Sequence, residues 1–474
     1  MRINWFCITA VLVIGTAHAA PRDDGAWLEA ARARYNIPGL SIAIVQRDKP
    51  VQFYSVGLCN VKRAIPCTEN LRFAIGSVTK PITGLLSATL AAEHVVDLDT
   101  PAIRYWSALK LLDDRASQIT LRDLLTQQSG LGAVDWPYFW DARLTRQDFL
   151  DRLEFVPSAK PFRAGFAYSN ANFVIAGKLL ETATQSTWES LVKQRLLSPL
   201  GMFNSGFYAP DSLKVGAVGY GPMVAGRPEP FPYVSPAAIR PAGGLVTTAS
   251  DFSRLLSMLL NEGKWRGTEI VPPLAIETFL STGSSGKRGG YGLGVGFTRL
   301  RDQTVFHHLG SIGGYSAALL VLPGKWGAIV LTNRTGSAFP EGLSFALLDR
   351  HLGNAGDDTL LKFAGPPTPS LEAEAPKVSA LPANALTDFT GTYRHLAWGD
   401  FTVEASTSLL CIRMGQFVAP LDYMGAESFS FQSAPGWERL TITFQRDGDR
   451  RVNGFAMDDG TNPAAQIFTK LKLK

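Results

Sequence analysis

What most constrains this chain is how far apart its strand-forming stretches lie. Residues 39–45 and 51–56 read as two strands joined by a turn at Arg47-Asp48-Lys49-Pro50. Comparable runs return only at residues 304–308, 315–322 and 328–332. Between them, from Ser77 to about Leu260, helical periodicity dominates. Val78, Ile82, Leu85, Leu86 and Leu90 share one apolar face, and Leu121, Leu124 and Leu125 mark a shorter helix. Strands, a long helical block, then strands again predict one α/β domain with helices inserted between the halves of a sheet.

Residues 361–382 carry Pro366, Pro367, Pro369, Pro376 and Pro382 with little apolar periodicity, the pattern of a semi-stiff linker. Beyond it, about eight short strand-like segments follow at spacings of about ten residues, with Gly and Asp turns between them. They predict a small all-β antiparallel barrel. The expected domains are a leader at 1–19, a catalytic domain at 20–360, a linker at 361–384 and a barrel at 385–474.

The leader rests on Arg2, the short apolar run from Trp5 to Ile14, and the small-x-small site Ala17-His18-Ala19. That run is too short to cross a bilayer, and no later stretch reaches the roughly 18 apolar residues needed, so no stable membrane insertion is expected. An exported, periplasmic or secreted protein follows. Export permits a disulfide between Cys59 and Cys67, which flank a hairpin-like turn, although two free thiols remain the alternative. Cys411, in an apolar strand-like run, reads as a small core residue. The net charge of +5 is scattered and forms no basic stripe, which speaks against nucleic-acid binding. There is no His-Glu-x-x-His and no Cys-x-x-Cys, so neither a metal nor another cofactor is expected.

Ser-x-x-Lys occurs four times, starting at Ser77, Ser107, Ser190 and Ser284, and only the first copy opens a long apolar helix. A spacing of three places Ser77 and Lys80 on one face of the first turn. Unpaired N–H groups at the helix start suit a developing oxyanion, and that field with partial burial should lower the Lys80 pKa. Tyr168-Ser169-Asn170 is the one Tyr-x-Asn. In extended backbone its phenol and amide face one cleft, and the amide can both donate to and accept from a substrate amide. His308-Leu309-Gly310 lies on a strand, where Gly310 permits close approach and the Ser311 N–H offers a second oxyanion donor opposite that of Ser77. A second His-Leu-Gly, at His351, ends a helical run with Gly353 as its cap. Taken singly, each motif has a bland reading: a packed surface tyrosine, or a satisfied sheet histidine.

In that order the three motifs resemble the class C β-lactamase and DD-peptidase family, which includes D-aminopeptidases, esterases and linear-microcystin peptidases. Flanking phrases Leu124–Leu131, Pro199–Met202, Ala242–Thr247 and Tyr291–Gly294 agree, and the resemblance spans about residues 25–355. The segment beginning Phe389-Thr-Gly-Thr-Tyr393 resembles the lipocalin-like barrels of some members. The resemblance implies a β-lactamase/transpeptidase-like antiparallel sheet with a large helical insert. It also implies Ser77 as the acylated nucleophile, Lys80 and Tyr168 as proton handlers, and Asn170 holding the substrate amide, with the acylation base left open between Lys80 and Tyr168.

Two positions depart from the family. His308 stands where Lys-Thr-Gly supplies a cation, and a mostly neutral imidazole holds a carboxylate less firmly. Gln127 stands where many relatives carry His. The resemblance then implies a serine peptidase or amidase cutting beside D-amino acids, with a small peptide, amide or ester as substrate and an open oligomeric state. A carboxylesterase, a β-lactamase, a penicillin-binding sensor that acylates without turnover, and an inert scaffold are the alternatives. Trp136, Tyr138, Phe139 and Trp140 read as packing of a helical insert, with an apolar substrate groove as the rival, and the glycine run 283–290 reads as a loop.

Overall fold

The computed structural model describes residues 24–132, 136–209, 216–224, 226–232, 234, 236–282, 289–367, 383–405, 409–432, 439–458 and 466–471. The expected leader, most of the linker and residues 283–288 of the glycine run lie outside the described residues.

The distant strand runs meet in one antiparallel sheet of eight strands. Gly39–Gln46 lies between Gln52–Asn60 and Trp326–Thr332, with Ala43 opposite Ile329. Tyr315–Leu322 and Gln303–Ile312 continue the sheet outward, followed by Gly296–Leu300 and Gly289–Tyr291, which sequence periodicity did not single out. All residues of Tyr315–Leu322 and Trp326–Thr332 are buried, so these strands read as unbroken apolar runs.

Side-chain alternation sorts these strands between two cores. Ile42, Ile44, Leu320, Leu322 and Val330 pack with Leu28 and Leu343 of the helices Asp24–Arg34 and Phe339–His351. Ala43, Val45, Leu319, Val321, Ile329 and Leu331 face the helical block, including Phe252 and Leu256 of Ala249–Leu260. The block itself is less uniformly helical than the periodicity implies. Short strands Phe73–Ala74, Gly206–Phe207 and Leu245–Thr247 form a separate small sheet within it.

At the centre runs the helix Thr79–Ala92, entered through a 3-10 turn at Gly76–Val78. Every residue from Thr79 to Leu90 is buried, so it is not the one-faced helix the leucine spacing suggests. Its polar side chains are satisfied inside: Thr83 Oγ1 donates to Pro241 O at 2.7 Å, and Ser87 and Thr89 bond back to carbonyls one turn earlier.

Cys59 and Cys67 form a disulfide across a sequence separation of 8. Cys411 departs from expectation. In Leu410–Met414 the inward positions are Leu410, Ile412 and Met414, which leaves Cys411 on the outer, partly exposed face. The helix Asp357–Ala364 carries the catalytic domain past residue 361, where the linker was expected to begin. His351 ends its helix as anticipated, with Gly353 at φ +97°.

The C-terminal strands close into an eight-stranded barrel, each paired with its sequence neighbour and sealed where Tyr393 meets Lys470. Its interior is filled by side chains, among them Tyr393, Phe401, Phe444, Phe455 and Phe468. One hairpin seats on the insert helix Trp136–Trp140: Gln416 N donates to Trp140 O at 3.2 Å, and the Trp140 and Phe417 rings lie 5.2 Å apart. Tyr138 and Trp140 are buried, so these two rings are packing, as the sequence favoured, while the Trp136 side chain lies outside what the structure describes.

Candidate active site

The 3-10 turn presents Ser77 at the head of the buried helix, and Lys80 follows in the first helical turn. Lys80 is fully buried. Its Nζ donates to Ser77 Oγ at 3.0 Å, to Asn170 Oδ1 at 2.6 Å and to Ala242 O at 2.9 Å. These three partners are formally neutral acceptors. The Tyr168 hydroxyl lies 2.7 Å from Ser77 Oγ, and Lys80 Nζ sits 4.7 Å from the Tyr168 ring centroid. The structure thus brings together a hydroxyl, an amine and a phenol from two segments far apart in the chain.

Local structure explains why Tyr168 reaches in. Ser169 is extended and caps the helix Asn170–Thr184, so Asn170 opens a helix instead of continuing an extended strand. The segment is pinned from behind. Ser169 N donates to Gln127 Oε1 at 3.0 Å, Ala167 N donates to Gln127 O at 2.9 Å, and Ser169 Oγ donates to Gly132 O at 2.9 Å. Asn172 Nδ2 also donates to Gln127 Oε1, at 2.5 Å. Gln127, to which the sequence attached no role, is therefore the buried clamp of the tyrosine segment. Its backbone sits at φ +59°, a conformation no local pattern announces.

The strand Gln303–Ile312 forms the opposite wall. A Cβ on Gly310 would come within 2.9 Å of Ser77 N and 2.8 Å of Val78 N. One on Gly76 would come within 2.7 Å of Ser311 N. Both glycines are thus required for the strand backbone to lie against the serine turn, and Gly76 also needs its φ of +48°. Ser311 turns its hydroxyl away, to Thr335 Oγ1 at 3.0 Å and Tyr315 O at 3.2 Å, which leaves its backbone on the nucleophile side.

His308 is buried on this wall. Its Nδ1 lies 2.7 Å from Leu309 O, which only accepts, so Nδ1 carries the hydrogen. The lone pair of Nε2 then receives the Tyr291 hydroxyl at 2.8 Å. Burial, followed by the positive charge of Lys80, pushes His308 down to about 3, so the ring is neutral at physiological pH. Burial pushes the Tyr291 phenol well above its usual value, with Tyr168 adding to the effect. Gln127 Nε2 is buried without a partner at hydrogen-bond distance among the described residues. Ala242 and Tyr291 both lie in the flanking phrases of the sequence, but their bonds to Lys80 and His308 are tertiary facts.

A cavity of about 740 Å³ opens beside the serine, lined by Arg163, Phe166, Tyr168, Tyr291, His308 and Glu341, among others. No group of His, Cys, Asp or Glu able to hold a metal ion occurs among the described residues. Among them, no helix is long and apolar enough to cross a membrane.

The profile of the Beta-lactamase family matches residues 25–350. An unguisins hydrolase of Aspergillus violaceofuscus is 24% identical over 68% of this chain and 63% of its own length. Beta-lactamase-like protein 2 of Dictyostelium discoideum is 27% identical over 79% of this chain and 71% of its own. This chain thus spans somewhat under two thirds of the fungal relative. Among solved structures, the octameric penicillin-binding protein homologue of Pyrococcus abyssi superposes with a TM-score of 0.60 at 22% identity, covering 94% of this chain and 98% of that one. A D-stereospecific amidohydrolase of Streptomyces gives 0.54 at 22% identity, over 65% and 92%. At such identities the structural likeness carries the fold.

Proposed function

Because this chain belongs to the beta-lactamase family, whose members are serine hydrolases, we propose that it hydrolyses small peptides or amides next to D-amino acids through an acyl-enzyme on Ser77. One observation carries the reading: Ser77 Oγ lies between Lys80 Nζ at 3.0 Å and Tyr168 OH at 2.7 Å. The D-preference draws on the family resemblance and on the D-stereospecific amidohydrolase among the structural neighbours.

In the proposed cycle, Ser77 Oγ attacks the substrate carbonyl and gives its proton to Tyr168. Lys80 has three acceptors around it, and as an ammonium it uses all three hydrogens and has no lone pair to receive a fourth. Its charge favours a phenolate on Tyr168, so the phenol serves as the base. The tetrahedral oxyanion is held by the backbone N–H groups of Ser77 and Ser311, with Asn170 against the substrate amide. Collapse breaks the C–N bond, and the leaving amine takes the proton back from Tyr168. Water then attacks the ester, with Tyr168 accepting its proton and returning one to Ser77.

The neutral His308 offers no positive charge where a substrate carboxylate would otherwise be held, which supports amides and esters over β-lactams. A screen of D- and L-amino-acid p-nitroanilides, p-nitrophenyl esters and a chromogenic cephalosporin tests this. Expected is turnover of a D-anilide that vanishes in Ser77→Ala. A stable adduct with no product release would instead identify a penicillin-binding sensor. Export belongs to the same proposal, supported by the leader-like start and by a disulfide suited to an oxidising compartment. N-terminal sequencing of the periplasmic fraction should find Ala20 first, and an intact Met1 in the cytosol would refute it.

A further inference from the structure

We propose that the cavity beside the nucleophile contains a cation-recognising subsite built on Glu341, so that the preferred substrate carries a protonated amine on an apolar or aromatic body. The proposal rests on the hydrolase reading of Ser77 and deepens it.

The cavity that begins at Tyr168 and His308 extends past Leu309 to His307, Gly296 and Glu341. Gly296 pairs with His307 across the strands, where a Cβ would come within 3.3 Å of the His307 ring. Glu341 stands in the first turn of Phe339–His351, where the positive end of the helix favours a carboxylate. Its side chain is 22% exposed, enough to meet a ligand and too little to be fully hydrated.

No lysine or arginine pairs with Glu341 among the described residues. Its one ion-pair partner among the described residues is His307, whose Nδ1 lies 2.9 Å from Oε1. A carboxylate only accepts, so that nitrogen carries the hydrogen. Arg163, the guanidinium lining the cavity, is committed through Nε and Nη2 to Asp123 at 2.9 and 2.7 Å, so their charges offset each other. His308 is neutral, as derived above. Glu341 thus lines, without a lysine or arginine of its own, the same cavity as Phe166, Tyr168 and Tyr291, whose rings also suit a cation or its alkyl stem. The plain alternative is a helix-start charge that only orients His307, and it predicts no preference for a cationic ligand.

Protection of Ser77 from a fluorophosphonate by hexylammonium or by 1-hexanol separates the two. In the wild type the ammonium should protect at about 10-fold lower concentration than the alcohol, the ratio expected of one charge-assisted contact. Glu341→Gln, isosteric and still able to accept from His307, should equalise the two ligands, while Glu341→Asp should keep part of the difference. Equal protection in the wild type, or a preference that survives in Glu341→Gln, would overturn the proposal. Calorimetric binding of hexylammonium to both proteins reads the same ratio without a reactive serine. Failure of fluorophosphonate labelling would therefore count against the hydrolase reading alone.

Discussion

On the helical wall of the cleft a buried lysine is ringed by three acceptors, whereas on the sheet wall a buried histidine is held neutral between a tyrosine and a carbonyl. Both groups are basic and both are removed from water. The lysine sits where every hydrogen finds an oxygen, so its charge is compatible with burial. The histidine has one nitrogen spent as a donor and the other as an acceptor, so a second proton would force the Tyr291 hydroxyl to turn its hydrogen elsewhere. The difference separates two tasks. In the proposed cycle the first wall assembles the bond-breaking groups, and the second offers shape and hydrogen bonds without charge.

Substitutions on the first wall should have the largest effects. Ser77→Ala should lower kcat by about 10⁴-fold or more, and Lys80→Ala and Tyr168→Phe should each cost about 10³-fold. The Lys80→Ala/Tyr168→Phe double variant should be little worse than either single, because the groups act as a unit. Additive losses would show that the two residues work separately.

On the second wall, His308→Lys should raise kcat/KM for a carboxylate-bearing substrate by about 10-fold relative to its methyl ester, the scale of one charge-assisted contact. An unchanged ratio would mean that charge at this position does not govern selectivity.

A further effect on this wall concerns stability. The folded pKa of His308 lies at about 3, below the ordinary 6.5 of an unfolded chain. As pH falls through this window the unfolded state takes up a proton that the folded state refuses, so stability drops, by up to about 1.4 kcal/mol per pH unit. Urea melts of wild type and His308→Gln between these limits should converge at low pH. Parallel curves would contradict the neutral wall. Smaller still in reach, removing the disulfide with Cys59→Ala/Cys67→Ala should cost about 2–3 kcal/mol and leave KM unchanged, because it braces the far side of the sheet.

Much of this was legible in the chain. Strand spacing and the helical block specified a sheet whose halves are joined by helices, and the turn-punctuated C-terminal runs specified a barrel, since both depend on local periodicity. The pairing of Gly39–Gln46 with Trp326–Thr332 was not legible, because register between distant strands leaves no local trace. Cys411 shows the limit on a finer scale: an apolar run does not say which face of a strand turns inward. In the site, Ser77 and Lys80 stood out because motif and helix context coincide, and Tyr168 because its Tyr-x-Asn follows them in the order of the resembled family. Gln127 did not, since its clamp depends on a left-handed backbone and on two partners some forty residues away. Glu341 and His307 were invisible for the same reason, brought together only by helix packing against a strand.

Intact-protein and peptide mass spectrometry of a rapidly quenched mixture with a D-alanyl p-nitroanilide addresses the central claim most directly. A transient acyl adduct should map to the peptide containing Ser77, decay with free enzyme restored, and persist longer in Tyr168→Phe than in wild type. Continued turnover with no adduct on Ser77, or with Ser77 replaced by alanine, would contradict it.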